Sequence, residues 1–436
     1  MIPATAEVHF FETDYGHHML AVDGSRVFDV PIDAAARFAG LDESGQRAYL
    51  DSMGLDGEPF IDDTPPTNMP VRSLSLAVAQ KCNLACTYCY ASGGDFGGPA
   101  RNMGWEVARA SVDRLVAEAE PGTRINLAYL GGEPLINRAL VHRVTEYATA
   151  QAQSNDLRVG FSITTNGTLL RPEDAEFFEE NGFAVTISLD GIGQVHDRLR
   201  PNRGGRGSYD MILRRIEPLL ALQQNMQVGA RVTVTPHNMN LPETLEEFVR
   251  MGFHSVGFSP MLASPNGRNE LDRDDFGEML NQMILCGQAF ETAVKIGRRY
   301  PFSNMSAAMQ EIHRGTHRPY ACGAGAGYFG VSADGGLFAC HRFVEDDAGA
   351  MGNVFDGPDL RRNQWLADRH VHGQSPCNTC WARYLCGGGC HHEVIHRGRP
   401  ACDYIRGWLH YCLQAYVRLS EARPDYFGQT AKHATA

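Results

Sequence analysis

With 436 residues, 43% hydrophobic and 21% charged, the chain has the make-up of a globular protein with a large core, long enough for more than one domain. Its formal net charge of -12 excludes an extended basic face of the kind that tracks nucleic-acid phosphates. No apolar run approaches the roughly 18 residues a membrane helix needs. The start, MIPATAEVHFFETDYG, lacks the pattern of a signal peptide, so a cytoplasmic protein without nucleic-acid or membrane partners is expected. In a reducing compartment twelve cysteines point to metal or cluster ligation rather than disulfides, the more so because most fall in two tight groups.

Taken in chain order, residues 1–70 read as a small N-terminal α+β segment. HFFETDYGHHMLAVDGSRVFDVP predicts two or three short strands around a turn at Asp23-Gly24, and helical stretches follow near 33–53. An exposed strand edge there would suit binding of a peptide substrate, and a structural lid is the alternative. The Pro-rich stretch DDTPPTNMP leads into residues 71–265. Here six apolar runs (72–79, 124–130, 158–164, 183–189, 227–235 and 255–260) alternate with helical segments at 105–119, 137–152, 172–181, 208–224 and 241–251. Repeated β/α units of this kind predict an α/β fold, a parallel sheet curled into a partial (β/α)6 barrel. Residues 266–315 read as a helical connector. Residues 316–436 are rich in Gly and Cys with few long periodic segments, and need something beyond apolar burial, such as bound clusters, to hold them.

Directly after the first barrel strand stands Lys81-Cys82-Asn83-Leu84-Ala85-Cys86-Thr87-Tyr88-Cys89, with the spacing C-x3-C-x2-C. Three thiolates can hold three irons of a [4Fe–4S] cluster and leave the fourth iron open to a small molecule. The loop also lies on the strand-end face where β/α barrels carry their active sites. A zinc site favours paired C-x2-C knuckles closed by four ligands, and an electron-transfer cluster wants a fourth cysteine nearby. Neither suits this spacing.

The segment resembles the signature C-x3-C-x-aromatic-C of the radical S-adenosylmethionine (SAM) superfamily, with Tyr88 as the aromatic. The resemblance implies that SAM chelates the open iron and is split by one electron into methionine and a 5'-deoxyadenosyl radical that takes a hydrogen from substrate. Further strand-end loops match the family in order. Gly131-Gly132-Glu133-Pro134 looks like its GGEP motif, in which glycine backbone approaches the ligand and the Glu133 carboxylate suits an ammonium group. Thr165 and Asn166 stand where hydrogen bonds near the adenosine are expected, Ser188 and Arg200 where the ribose and carboxylate of SAM are contacted, and Leu262 where adenine packs. For Leu262 a plain core leucine is the alternative.

The second group comprises Cys322, Cys340, Cys377, Cys380, Cys386, Cys390, Cys402 and Cys412. Its spacing resembles the SPASM extension of radical SAM enzymes that act on peptides, which carries two auxiliary [4Fe–4S] clusters and so makes three clusters in all. By position, one auxiliary cluster takes Cys322, Cys340 and Cys390, and the other takes Cys377, Cys380, Cys386 and Cys402. The glycines at 387–389 let backbone N–H groups reach the sulfurs. Some relatives have a further cysteine just before the first of these, where GTHRPYA has none, so the first auxiliary cluster is left with an open iron or a ligand such as Cys412. A multi-cluster electron carrier explains the cysteines but not Ser188, Arg200 or the GGEP loop, and a zinc-stabilised binding module would be colourless.

For the substrate, anaerobic sulfatase maturases place an Asp after the cysteine equivalent to Cys340, where this chain has His341, which argues against formylglycine formation. The wording of the cysteine-rich segments resembles thioether-forming peptide maturases, among them the maturase of the quinohemoprotein amine dehydrogenase small subunit. That resemblance implies cross-links from Cys sulfur to an Asp or Glu side-chain carbon in a peptide or small protein. A one-electron donor such as flavodoxin or ferredoxin is then a second partner. Sactipeptide-type thioethers and carbon–carbon cross-links are alternative products. Asp403, beside Cys402, is the first candidate for the base that takes the substrate thiol's proton, with Glu393 and His341 as alternatives; a helix N-terminal acid favouring the dipole is the other reading of Asp403.

Overall fold

The computed structural model describes residues 4–55, 64–65 and 69–428. Much of the expected link DDTPPTNMP, and the stretch 429–436, lie outside the described residues. Strands β1 (Val8–Thr13), β2 (Gly16–Ala21) and β3 (Arg26–Val30) form an antiparallel sheet, followed by α1 (Ala34–Ala39) and α2 (Glu43–Ser52). The Asp42 side chain caps α2 by accepting from Gly45 N at 2.8 Å. Val8, Met19, Phe38 and Leu50 close a small core between sheet and helices.

This segment is stapled to the cysteine-rich part of the chain. The His9 ring stacks on Trp381 at 3.8 Å. Arg383, only 2% exposed, donates to Ala6 O and to Glu7 Oε2, both at 2.7 Å.

The apolar runs expected as strands form β4 (Ser73–Gln80), β6 (Arg124–Gly131), β7 (Arg158–Thr165), β8 (Ala184–Ser188), β9 (Gln227–Val234) and β10 (Ser255–Pro260), with a short β5 (Arg101–Asn102) beside β4. All six long strands are parallel and lie in the order β10-β9-β8-β7-β6-β4. Between them run α3 (Trp105–Ala117), α4 (Arg138–Ser154), α5 (Pro172–Glu180), α6 (Gln194–Leu199), α7 (Tyr209–Leu222) and α8 (Leu241–Arg250). Register separates two faces. Leu76, Tyr129, Ile163, Val185 and Val228 form one cross-strand row buried under the helices. On the opposite face stand Ser75, Ala128, Ser162 and Ala184, and further along Ser188 beside Arg231. Apart from Arg231, that second face carries only small Ser and Ala side chains at these positions.

The connector is helical as expected: α9 (Arg273–Lys295) opens with a capping box on Asp272, and α10 (Ser303–His313) follows. The next part differs from the sequence reading. Strands β11 (Tyr328–Val331), β12 (Gly336–Phe338), β13 (Ala350–Asn353) and β14 (Gly357–Pro358) prolong the barrel's own sheet, because β11 pairs in parallel with β4. After them come α11 (Arg361–Arg369), α12 (Arg383–Cys386), α13 (His391–Arg397) and α14 (Cys402–Ala422). The long α14 packs on α9, where Glu291 accepts from Tyr411 Oη at 2.6 Å and from both Arg418 nitrogens at 2.7 and 2.8 Å.

Candidate active site

The loop carrying Cys82, Cys86 and Cys89 leaves β4 and is met by the loops after β6, β7 and β8. Two glycines let these loops touch. A Cβ on Gly132 would stand 2.4 Å from Lys81 O, and one on Gly94, at φ +110, would stand 2.6 Å from Cys82 N. Gly132 thus packs its backbone directly against the cysteine loop. Leu84 N donates to Cys82 Sγ at 3.5 Å, and Asn166 Nδ2 reaches the same sulfur at 3.6 Å. The three thiols lie within electrostatic reach of one another, and Cys82 and Cys86 within reach of Arg200. Burial pushes the Cys86 thiol up to about 12, against the pull of Arg200.

Around them the other expected residues assemble. Glu133 is fully buried, and burial raises its carboxyl despite three donors: Leu135 N at 3.1 Å, Thr165 Oγ1 at 2.7 Å and Asn166 N at 2.8 Å. Its carboxylate thus locks the β6 and β7 loops together. Tyr88 Oη bonds to Asp190 Oδ2, and Arg200 Nη1 donates to Tyr88 Oη at 2.7 Å. Asp190 Oδ1 is anchored by Thr233 N at 2.8 Å. Arg200 Nε is buried with no hydrogen-bond partner among the described residues, a donor still awaiting a carboxylate-like acceptor. Three convergent soft donors beside that donor fit a [4Fe–4S] cluster with SAM on its open iron. Ser188 ends β8 on the sheet face that carries Arg231, and Leu262, 9% exposed, follows β10.

Seven of the nine remaining thiols sort into two sets. Cys322, Cys340 and Cys390 feel one another's charge, as do Cys377, Cys380, Cys386 and Cys402. All twelve cysteines are free thiols. The second set lines a cavity with Leu262, Arg399 and Arg406. Gly388 and Gly389 donate backbone N–H groups to Cys386, and Gly387, Gly388 and Gly389 all take positive φ to do so. A Cβ on Gly387 would meet Ala321 N at 2.4 Å. Burial drives Cys340 up to about 12 and Cys377 up to about 11, so ligation of either set must displace protons. Both sets fit clusters. Cys412 joins neither: it is fully buried within α14, near Glu291.

Comparison with known proteins agrees with this geometry. The description "Radical SAM superfamily" matches residues 76–226, and the uncharacterized protein MJ0907 of Methanocaldococcus jannaschii is 30% identical over 221 residues, covering 49% of this chain and 71% of that one. The chain belongs to the radical SAM superfamily. Among its relatives, the serine-type anaerobic sulfatase-maturating enzyme of Klebsiella aerogenes is 26% identical over 362 residues, 78% of this chain and 85% of that protein. The cysteine-type anaerobic sulfatase-maturating enzyme of Clostridium novyi is also 26% identical, covering 73% and 88%. The structure of native anSMEcpe with bound AdoMet shares the fold, with a TM-score of 0.67 at 20% identity over 80% of this chain and 99% of that one. No helix among the described residues is long and apolar enough to cross a membrane.

Beside the auxiliary cysteine sets this radical SAM enzyme carries Arg342 and Arg231, which sequence reading missed, together with His341 and Glu393, which it named as alternative bases. Arg342 Nη1 pairs with Glu393 Oε1 at 2.6 Å and sits 5.3 Å over the ring of Tyr90. Arg231, from β9, feels Arg342 and Glu393, and burial with Arg342's charge pulls it down. His341 accepts or donates at Tyr328 Oη, 2.8 Å away, and burial lowers it to about 4, so it is neutral at pH 7. Burial raises Glu393, whose side chain also bonds Cys390. Asp403 is not brought to this place: it is exposed and paired with Arg406 at 2.6 Å in the first turn of α14. Tyr90 had a signal in its position next to Cys89. Arg231 had none beyond being the one charge on its strand.

Proposed function

We propose that this enzyme modifies a peptide or small protein, using SAM at Cys82, Cys86 and Cys89 and two auxiliary [4Fe–4S] clusters at the other two cysteine sets. When bound, cluster and SAM together supply the one-electron cleavage that produces a hydrogen-abstracting radical. The chain's own residues do the rest. Arg200, with its unpaired Nε, holds the SAM carboxylate. Tyr88 and Asp190 fix the guanidinium, and Glu133 keeps the two strand-end loops closed around the site.

The product we infer is a thioether from a substrate Cys to an acidic side chain, a reading supported by the two arginines beside Glu393. Among the described residues Arg231 and Arg342 both lie within the field of the Glu393 carboxylate, and their guanidiniums are suited to meet an Asp or Glu of the substrate as well. Glu393, raised by burial, is the base we assign to the substrate thiol, in place of Asp403. A small Cys-rich acidic partner, such as a quinohemoprotein amine dehydrogenase small subunit, has the matching chemistry. Formylglycine formation is the second reading, favoured by the sulfatase-maturating relatives that cover most of the chain.

One experiment separates the readings. Reconstituted enzyme is incubated anaerobically with SAM, dithionite and either a Cys/Asp-containing acidic peptide or a sulfatase peptide. Thioether closure removes two hydrogens and the free thiol, one hydrogen going to the 5'-deoxyadenosyl radical, the thiol proton to Glu393 and the remaining electron to a bound auxiliary cluster. Formylglycine instead leaves an aldehyde that a hydrazide traps. An aldehyde from the sulfatase peptide, with no change in the acidic one, refutes the thioether reading. Cys82→Ala protein should release no 5'-deoxyadenosine in either case.

A further inference from the structure

A cluster of ligand-type side chains lies outside the cysteine sets. On α13, His392 and His396 are four residues apart and share a helix face. Asp346 approaches them from the loop after Phe343, and one ligand atom from each of the three lies within 4.8 Å of the others. His396 Nε2 stands 2.7 Å from Asp346 Oδ2, and the two imidazole centroids are 4.6 Å apart.

The loop is built to hold that carboxylate. Asp346 Oδ1 is occupied by Ala348 N at 3.0 Å, which turns Oδ2 toward the histidines. Glu345, just before it, is kept in left-handed backbone at φ 64 by hydrogen bonds from Gln80 Nε2 at 2.9 Å and Arg101 Nη2 at 3.0 Å. Nδ1 of His392 is buried with no hydrogen-bond partner among the described residues. All three side chains line a cavity of about 270 Å³ that Tyr90 and Arg342 also line.

We propose that Asp346, His392 and His396 bind a divalent transition-metal ion, with Zn²⁺ as the type, on the wall of the cavity that Tyr90 and Arg342 also line. Two imidazoles and a carboxylate are a donor set that leaves a fourth tetrahedral position open. That position faces the cavity and takes water or a donor atom of bound substrate. Two ligands of such an ion stand roughly 3.3 Å apart, so the His396–Asp346 pair, now at 2.7 Å, opens by about half an ångström and exchanges its hydrogen bond for coordination. The simple alternative is an exposed histidine–carboxylate bond beside a histidine packed 4.9 Å from the Phe343 ring.

To test this, cluster-loaded, desalted full-length protein is dialysed against micromolar Zn²⁺, and zinc and iron are counted per chain. Wild type should hold one zinc more than the His392→Ala/His396→Ala variant, with equal iron. Zinc X-ray absorption should then show nitrogen and oxygen neighbours at roughly 2.0–2.1 Å. Equal zinc in both proteins, or sulfur neighbours at roughly 2.3 Å, overturns the proposal. Should the double variant fail to fold, Asp346→Asn decides: zinc affinity lowered by about tenfold or more supports the site, and unchanged affinity refutes it.

Discussion

Replacing Gly132 with alanine tests whether loop contact, rather than ligand contact, is what this glycine provides. The new Cβ would lie 2.4 Å from Lys81 O, 2.5 Å from Lys81 C and 2.7 Å from Gly94 Cα, all of them backbone atoms. Ordinary contact begins near 3.4 Å, so the cysteine loop must retreat by about 1 Å. That retreat also stretches the Glu133 N–Lys81 O hydrogen bond, now 2.9 Å. Overpacking of this kind costs roughly 1–3 kcal/mol, and a shift of about 1 Å in a reacting geometry costs about 100-fold in rate. Gly132→Ala should therefore lower the unfolding temperature and cut anaerobic release of 5'-deoxyadenosine about 100-fold at near-normal iron content. Gly104→Ala is the control, since it has φ -85 and nothing within 4 Å, and should behave as wild type. A Gly132→Ala enzyme with unchanged cleavage rate and stability would refute the reasoning.

Four further outcomes follow from single side chains. Arg383→Ala removes the buried staple to Ala6 and Glu7, and should cost about 3 kcal/mol, with faster proteolysis concentrated in residues 4–55. His196 is buried, with Nδ1 accepting from Asp190 N and Nε2 at Ser208 Oγ, and burial lowers it to about 3. Its folded value lies below the unfolded 6.5, so its neutral form stabilises above pH 6.5 and that contribution falls as pH drops; urea unfolding at pH 5 against pH 7.5 should show a loss of roughly 2 kcal/mol that His196→Gln lacks. Arg231→Gln should leave SAM cleavage intact while product yield on an acidic peptide falls at least about tenfold, measured by mass spectrometry. On the same assay Glu393→Gln should slow product formation, whereas Asp403→Asn should not.

The barrel and the first cysteine group were legible because their information is local. Alternating apolar runs and helical stretches mark each β/α unit, and three thiols within eight residues cannot avoid converging once β4 ends. The extension of the sheet by β11 was not legible. Tyr328–Val331 is a strand of four residues whose partner, β4, lies some 250 positions earlier, and no periodicity encodes such a pairing. Arg200's anchoring through Tyr88 was hidden likewise, since the bond joins residues 112 positions apart.

The contrast between Asp403 and Glu393 has a helical cause. Adjacency in sequence pointed to Asp403, because it follows the candidate ligand Cys402. Yet both residues stand in the first turn of α14, where successive side chains diverge by about 100°. With Cys402 turned to its cavity, Asp403 is carried outward to solvent and to Arg406. Glu393 instead lies three residues after Cys390, the N-cap of α13, a spacing that returns a side chain to the same helix face. Its carboxylate therefore shares the interior with Cys390 and Arg342, where burial raises its proton affinity. On a helix beside a ligand cysteine, a partner is to be sought one turn away rather than next door.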